Sequence, residues 1–336
     1  MLKIAIIGYG KMGRTRHQLV EQVGAQVVAV SDVEKPTECP VPFYDDPQDI
    51  INDPQIDAIF ICSPNYTIRD LVVSALQNGK HVFAEKPPGV SLQQVQEMKE
   101  VSAQYPHLKL KFGFNHRYHQ TVMLAKEKIS TGNYGEILWM RGRYGKSVDE
   151  DYQHTWRAKK ELAGGGILLD QGIHMLDLML HFVDDFDEVK AFCQKQYWGL
   201  DIEDNVFAMF RNQKGQTASM HSTMTQWRNL FSLEIFLERG YMVLNGLLTS
   251  SKSYTTKRGE ENLTISLNRS PAPAAKHDSE ERHCFEEDFS FENEISEFIE
   301  CIRDNSDIRV GTINDAEKIM TLVEKIYADD AVGLQG

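Results

Sequence analysis

The chain has 336 residues, 41% hydrophobic and 25% charged, long enough for two globular cores of ordinary size. A formal net charge of −13 with no basic run excludes a nucleic-acid footprint. Five scattered cysteines without a C-x-x-C pair, no long apolar stretch and no signal-peptide pattern point to a reducing, cytoplasmic setting with no zinc site and no membrane span.

Lys3–Ile7 reads as a buried strand, and a glycine turn leads from it into a helix over Met12–Val23. Gln26–Val30 and Asp57–Cys62 are the next strands, the second after a loop rich in proline and aspartate. Helical spacing over Tyr66–Asn78 puts Leu71, Ala75 and Leu76 on one side, and Gly79 ends that helix as a C-cap. A strand at His81–Ala84, a Ser-capped helix at Ser91–Gln104 and a strand at Lys109–Gly113 complete the pattern. Such alternation predicts a parallel sheet with helices on both faces. Past about Tyr118 the rhythm changes. A helix at Val122–Ser130 and a strand at Ile137–Tyr144 precede a long apolar helix over Ile167–Phe182. Strands then follow at Glu188–Tyr197, Asn205–Arg211, Gln216–Thr225, Phe231–Glu238 and Tyr241–Asn245, which predicts an antiparallel sheet with one buried face. Phe236 breaks the polar alternation, as a lone exposed ring or as part of a subunit interface. Residues 249–282 read as surface loop with short strands, and amphipathic helices at Glu292–Arg303 and Asn314–Tyr327 close the chain.

Gly8-Tyr9-Gly10-Lys11-Met12-Gly13 is G-x-G-x-x-G, placed after a buried strand and at the start of a helix. The first glycine permits the turn, the second lets the backbone approach a pyrophosphate, and the third allows close helix–strand packing. Lys11 and Met12 offer first-turn N–H groups to the phosphates. Asp32 lies nineteen residues beyond Gly13, where a carboxylate accepts from the ribose hydroxyls and repels a 2′-phosphate. NAD is therefore favoured, with NADP left open by nearby Lys35 and Arg14. Ser63 and Asn65, at the carboxyl end of the Asp57–Cys62 strand, can touch the ribose or diphosphate or serve only as turn-formers.

Glu85-Lys86-Pro87 ends the fourth strand at the same sheet edge. A lysine there stabilises a developing alkoxide, while Glu85 pairs with it, contacts the cofactor, or is a bland surface acid. Asp170, His174, Asp177 and His181 follow at intervals of four, three and four, on one face of a helix apolar elsewhere. Such a polar stripe lines a cavity or satisfies itself within the core. Gly164, Gly165, Gly166 and Gly172 suggest close approach to that helix. A metal is not expected, because no third-ligand cluster accompanies the two histidines. Trp156-Arg157 offers packing or an anion contact, and Asn115-His116-Arg117 offers polar groups at the domain junction.

Together these motifs resemble the Gfo/Idh/MocA oxidoreductase family along nearly the whole chain. The resemblance rests on Gly8 to Gly13, Glu85-Lys86-Pro87, Trp156-Arg157, Gly164 to Gly166 and Asp170-Gln171-Gly172-Ile173-His174. It implies an α/β fold class. A dinucleotide-binding Rossmann domain occupies residues 1–118. A substrate and oligomerisation domain occupies 119–336, with an open, mainly antiparallel sheet and C-terminal helices packing back on the first domain. It also implies Lys86, Asp170 and His174 as catalytic residues, with a cis peptide bond before Pro87. Sugars, cyclitols or sugar nucleotides are the implied substrates, and a homodimer or homotetramer forms through the sheet. Many members carry a histidine where this chain has Ile68. The expected reaction is hydride exchange between the nicotinamide and a secondary alcohol, with His174 as general base, Lys86 holding the hydroxyl and Asp177 fixing the imidazole. Rival readings are a glycosidase using NAD transiently and a non-catalytic NAD-dependent sensor.

Overall fold

The structure is a computed structural model and describes residues 1–247, 261–267 and 280–331. In chain order the regular elements are β1 (Lys3–Ile7), α1 (Lys11–Gln22), β2 (Gln26–Ser31), β3 (Phe43–Tyr44), α2 (Pro47–Asn52), β4 (Ala58–Ile61), α3 (Asn65–Gln77), β5 (His81–Ala84), α4 (Leu92–Ser102) and β6 (Leu110–Phe112). After them come α5 (Gln120–Ser130), β7 (Ile137–Ser147), α6 (Lys160–Ala163), a π-helical turn over Leu168–Gly172, and α7 (Ile173–Val183). The chain closes with β8 (Glu188–Gln194), β9 (Asn205–Arg211), β10 (Thr217–Thr223), β11 (Thr225–Leu237), β12 (Gly240–Asn245), β13 (Glu261–Leu267), β14 (Glu280–Phe285), α8 (Ser290–Arg303) and α9 (Ile313–Asp329). These form two compact units. One is Met1–Asn115 with Glu161–Gly164 and Phe291–Met320; the other is His116–Lys160 with Gly165–Ser290 and Thr321–Gly336.

The first unit is built on a six-stranded sheet in the order β3-β2-β1-β4-β5-β6, all pairs parallel. That order is the doubly wound one, in which the strand sequence reverses beside β1 and opens a crevice at the carboxyl ends. Ala58 to Ile61 and Val82 to Ala84 are wholly buried, which is why these strands read as unbroken apolar runs. Two short elements were not anticipated: β3, and α2, whose start is set by Asp46 accepting from the Gln48 N–H with Pro47 in the first turn. Phe298 of α8 packs edge-on against Phe60 and Phe83, so the C-terminal segment completes this core.

The second unit carries an eight-stranded sheet in the order β14-β13-β12-β11-β7-β10-β9-β8. Every pair is antiparallel except β7 with β10. Strand β11 begins earlier than its alternation suggests, at Thr225, with a register irregularity between Thr225 and Leu230 in its pairing with β7. Phe236 is neither lone nor fully exposed: it stacks on Trp139 at 4.1 Å and on Tyr241 at 5.4 Å. The segment expected as surface loop with short strands contains β13 and the start of β14, while 249–260 and 268–279 lie outside the described residues.

Candidate active site

In the first unit the glycine turn has the geometry of a phosphate cradle. Gly8 has φ +90°, and a Cβ there would lie 2.5 Å from the Ser63 nitrogen. A Cβ on Gly13 would meet the Gly8 carbonyl oxygen at 2.1 Å, while one on Gly10 would meet nothing within 4 Å. The turn is thus tight at its two ends and open at its middle, where a ligand can reach the backbone. Gly10 is the N-cap of α1 and gives no side-chain cap, so the first-turn N–H groups of Lys11 and Met12 keep their donor capacity toward an anion. Asp32 is tied to the turn: its Oδ2 accepts from the Tyr9 N–H at 2.6 Å and its Oδ1 from the Val33 N–H at 2.7 Å. A carboxylate so fixed keeps lone pairs for two hydroxyls.

The neighbouring loop uses its polar groups locally. Ser63 Oγ lies 2.7 Å from Thr67 Oγ1, and Asn65 Nδ2 donates to the Ala163 carbonyl at 2.8 Å. Asn65 is buried and anchors the 161–164 segment within this unit. Asn115 is also buried, at the start of a 3-10 turn over Asn115–Tyr118. Lys86 is half-buried, and the Lys86–Pro87 peptide bond is cis.

Glu85 turns inward, and its partner was not foreseen. Its Oε1 accepts from Arg16 Nε at 2.7 Å, and Arg16 Nη2 lies 2.8 Å from Glu294 Oε2 of α8. The Arg16 guanidinium is wholly buried between the Phe83 and Phe291 rings. Buried Lys111 donates to the Val310 carbonyl and lies 3.5 Å from Glu297. Burial pushes the Glu294 carboxyl up to about 7, against the pull of Arg16 and Lys111 and with help from Glu85.

The second unit holds the remaining candidates. Its long helix is not one continuous α-helix. Leu168–Gly172 forms a π turn, and α7 begins at Ile173. The wider turn shifts the phase between Asp170 and the residues after it, so the single polar face inferred from α spacing is broken there. Gly166 is pinned by Glu203. Its N–H donates to both carboxylate oxygens at 2.9 Å, and a Cβ would lie 2.1 Å from the Glu203 carbonyl oxygen. Burial raises the Glu203 carboxyl despite those backbone donors.

Asp170 contacts Lys146 of β7, whose ammonium lies 4.7 Å from the centre of the Tyr152 ring. Burial, with the Asp170 charge adding to it, drives both the Tyr152 and Tyr144 hydroxyls well above the usual phenol range. His174 is buried and stacks on His116, ring centres 3.7 Å apart and planes 20° apart. Asp177 accepts from Arg117 at Nε (2.8 Å) and Nη2 (2.5 Å), so its Oδ1 is engaged by a guanidinium. Arg157 is exposed and lies over the Trp156 ring at 4.3 Å. Gly8 to Gly13, Asp32, Ser63, Asn65, Glu85, Lys86 and Asn115 thus share one unit, and Trp156, Arg157, Asp170 and His174 the other. Sequence reasoning missed Arg16, Glu294 and Tyr144, and read His116 only as one polar group of Asn115-His116-Arg117.

Among the described residues no group of three or more His, Cys, Asp or Glu side chains is arranged to hold a metal, and no helix is long and apolar enough to cross a membrane.

A model described as an oxidoreductase family with an NAD-binding Rossmann fold matches residues 2–110, and one described as the GFO/IDH/MocA C-terminal domain matches 122–243. Levoglucosan dehydrogenase of Pseudarthrobacter phenanthrenivorans is 29% identical over 228 residues, 58% of this chain and 57% of its own. D-glucoside 3-dehydrogenase of Escherichia coli is 31% identical over 201 residues, 56% of each chain. The alignments therefore span little more than half of those relatives. A solved levoglucosan dehydrogenase in complex with NADH and levoglucosan superposes with a TM-score of 0.85 over 99% of this chain and 98% of that one; at 21% identity it establishes the fold.

Proposed function

The chain belongs to the Gfo/Idh/MocA oxidoreductase family, and from that premise we propose that it is an NAD-dependent dehydrogenase acting on a secondary alcohol of a sugar, cyclitol or sugar nucleotide. The observation that supports this best is the open glycine turn with its anchored acid: Gly10 leaves room for a pyrophosphate, and Asp32 is held at the end of β2 to meet a ribose. Lys11 and Met12 present first-turn N–H groups, and Ser63, Asn65, Glu85, Asn115, Trp156 and Arg157 complete the proposed cofactor set. NAD, when bound, supplies the hydride acceptor at nicotinamide C4. The chain's own residues do the rest. Lys86 holds the substrate hydroxyl and stabilises negative charge on its oxygen. His174 takes the hydroxyl proton, and Asp170, in contact with Lys146, orients the polyol.

The relatives named above are dehydrogenases of levoglucosan and of a glucoside, which supports a carbohydrate as substrate. A soluble cytoplasmic homodimer or homotetramer fits the outer sheet face, where Phe192 and Met209 are 68% and 64% exposed. The test is NADH formation by the purified chain across cyclitols, aldoses, uronates and nucleotide sugars, repeated with Lys86→Ala. Turnover by the native chain, lost in the variant while NAD binding persists, supports the reading; NAD binding without turnover of any polyol overturns it.

A further inference from the structure

His116 is buried and lies face to face with the imidazole of His174. Its Nε2 is 3.1 Å from the Tyr144 hydroxyl of β7, a group that burial keeps un-ionised and so able to donate to a neutral imidazole or accept from a charged one. Two imidazolium rings at 3.7 Å cannot both persist inside a protein, so the pair resists a second proton. We propose that His116 is a positioning residue for His174: it stacks the base in place, and repulsion between two charged rings at this separation holds down the proton affinity of His174, leaving it able to act as base. This rests on the reading of His174 as general base.

The surrounding carboxylates are each paired, so none is left to relieve the repulsion between two charged rings. On the His116 side, His119 packs edge-on at 5.3 Å and bonds Glu261 of β13 through Nδ1 at 2.9 Å, with Asp288 at 3.8 Å. Burial opposes ionisation of Glu261, but the bonds from His119 and Thr121 outweigh it, and its carboxyl titrates below the usual range. Glu261 and His119 thus form a buried bonded pair behind His116. On the His174 side, the Asp170 carboxylate is met by Lys146 and the Asp177 carboxylate by Arg117, so each nearby anion has its own cation. Phe231 of β11 closes the cluster with an apolar ring.

The experiment is a histidine-labelled NMR titration of the full chain, with the His174 signal assigned as the one lost in His174→Gln. His116→Phe keeps a flat ring and removes the proton acceptor. The expected result is that the His174 midpoint rises by about one pH unit, a tenfold change in proton affinity, and that the acid limb of kcat moves up with it on whichever polyol reduces NAD. Tyr144→Phe keeps the fold's aromatic packing, removes the hydroxyl that holds His116, and is expected to move the midpoint the same way by less. If the His174 midpoint is the same in native chain and both variants, the pairing is wrong. If His174→Gln retains full turnover, the base assignment falls instead, so the two failures are distinguishable.

Discussion

Replacing Glu294 by glutamine should make the protein more stable at alkaline pH relative to the native chain, and by an amount that depends on pH. In the first unit, buried Arg16 and Lys111 face three carboxylates, Glu85, Glu294 and Glu297. With all of them ionised these buried groups carry one excess negative charge, and the exposed Arg309 reaches only Glu297, at 3.8 Å. Burial accordingly raises the Glu294 carboxyl from 4.5 to about 7. A folded-state value above the unfolded one means that the folded chain binds the extra proton between these limits. Its stability therefore falls as pH rises through that window. At 1.36 kcal/mol per unit the loss approaches about 3 kcal/mol once pH passes 7. The substituted carboxamide cannot ionise, and its oxygen can still accept from Arg16, so Glu294→Gln avoids that loss. Urea unfolding of both proteins at pH 5 and pH 8 checks this: the variant-minus-native difference should grow by up to about 3 kcal/mol between the two. A difference that stays constant with pH would refute the buried-charge argument, because it would show Glu294 binding its proton equally in the folded and unfolded chain.

Other positions yield sharper single outcomes. Gly166→Ala forces a methyl against the Glu203 backbone and should cost about 3 kcal/mol, read as a lowered unfolding midpoint of the chain; a native midpoint would contradict the packing. Arg117→Ala strips a buried carboxylate of its guanidinium and should cost about 3–5 kcal/mol, with Arg117→Lys recovering only part because both Nε and Nη2 bond Asp177. Asp32→Ser should weaken NAD relative to NADP, measured as the ratio of dissociation constants; an unchanged ratio would remove Asp32 from the ribose.

What sequence could and could not reveal divides by the reach of the contacts. Strands buried on both faces announce themselves as apolar runs, and the Gly8 to Gly13 turn is a compact pattern after a strand, although the chain that crowds Gly8 is at Cys62 and Ser63. Even the overlooked α2 had a legible start in Asp46-Pro47, masked by the assumption that a stretch rich in aspartate and proline is a loop. Arg16 is a different case. In sequence it is one basic residue of a charged helix, and nothing local says that it is wholly buried; its partners stand 69 residues away in Glu85 and on the C-terminal α8. The π turn at Leu168–Gly172 was hidden because α spacing fits Asp170 and His174 well enough to conceal one extra residue in the turn, and only Gly172 hinted at irregular backbone. The stacking of His116 on His174 joins a 3-10 turn to a helix and follows from the packing of both against β7, which no spacing rule encodes. Chemistry-bearing residues were therefore readable as types at sheet edges and on one helix, whereas the groups that set their charge states come from distant segments. A protein of this kind can keep its visible motifs and still change its pH response through residues such as His116 and Glu294.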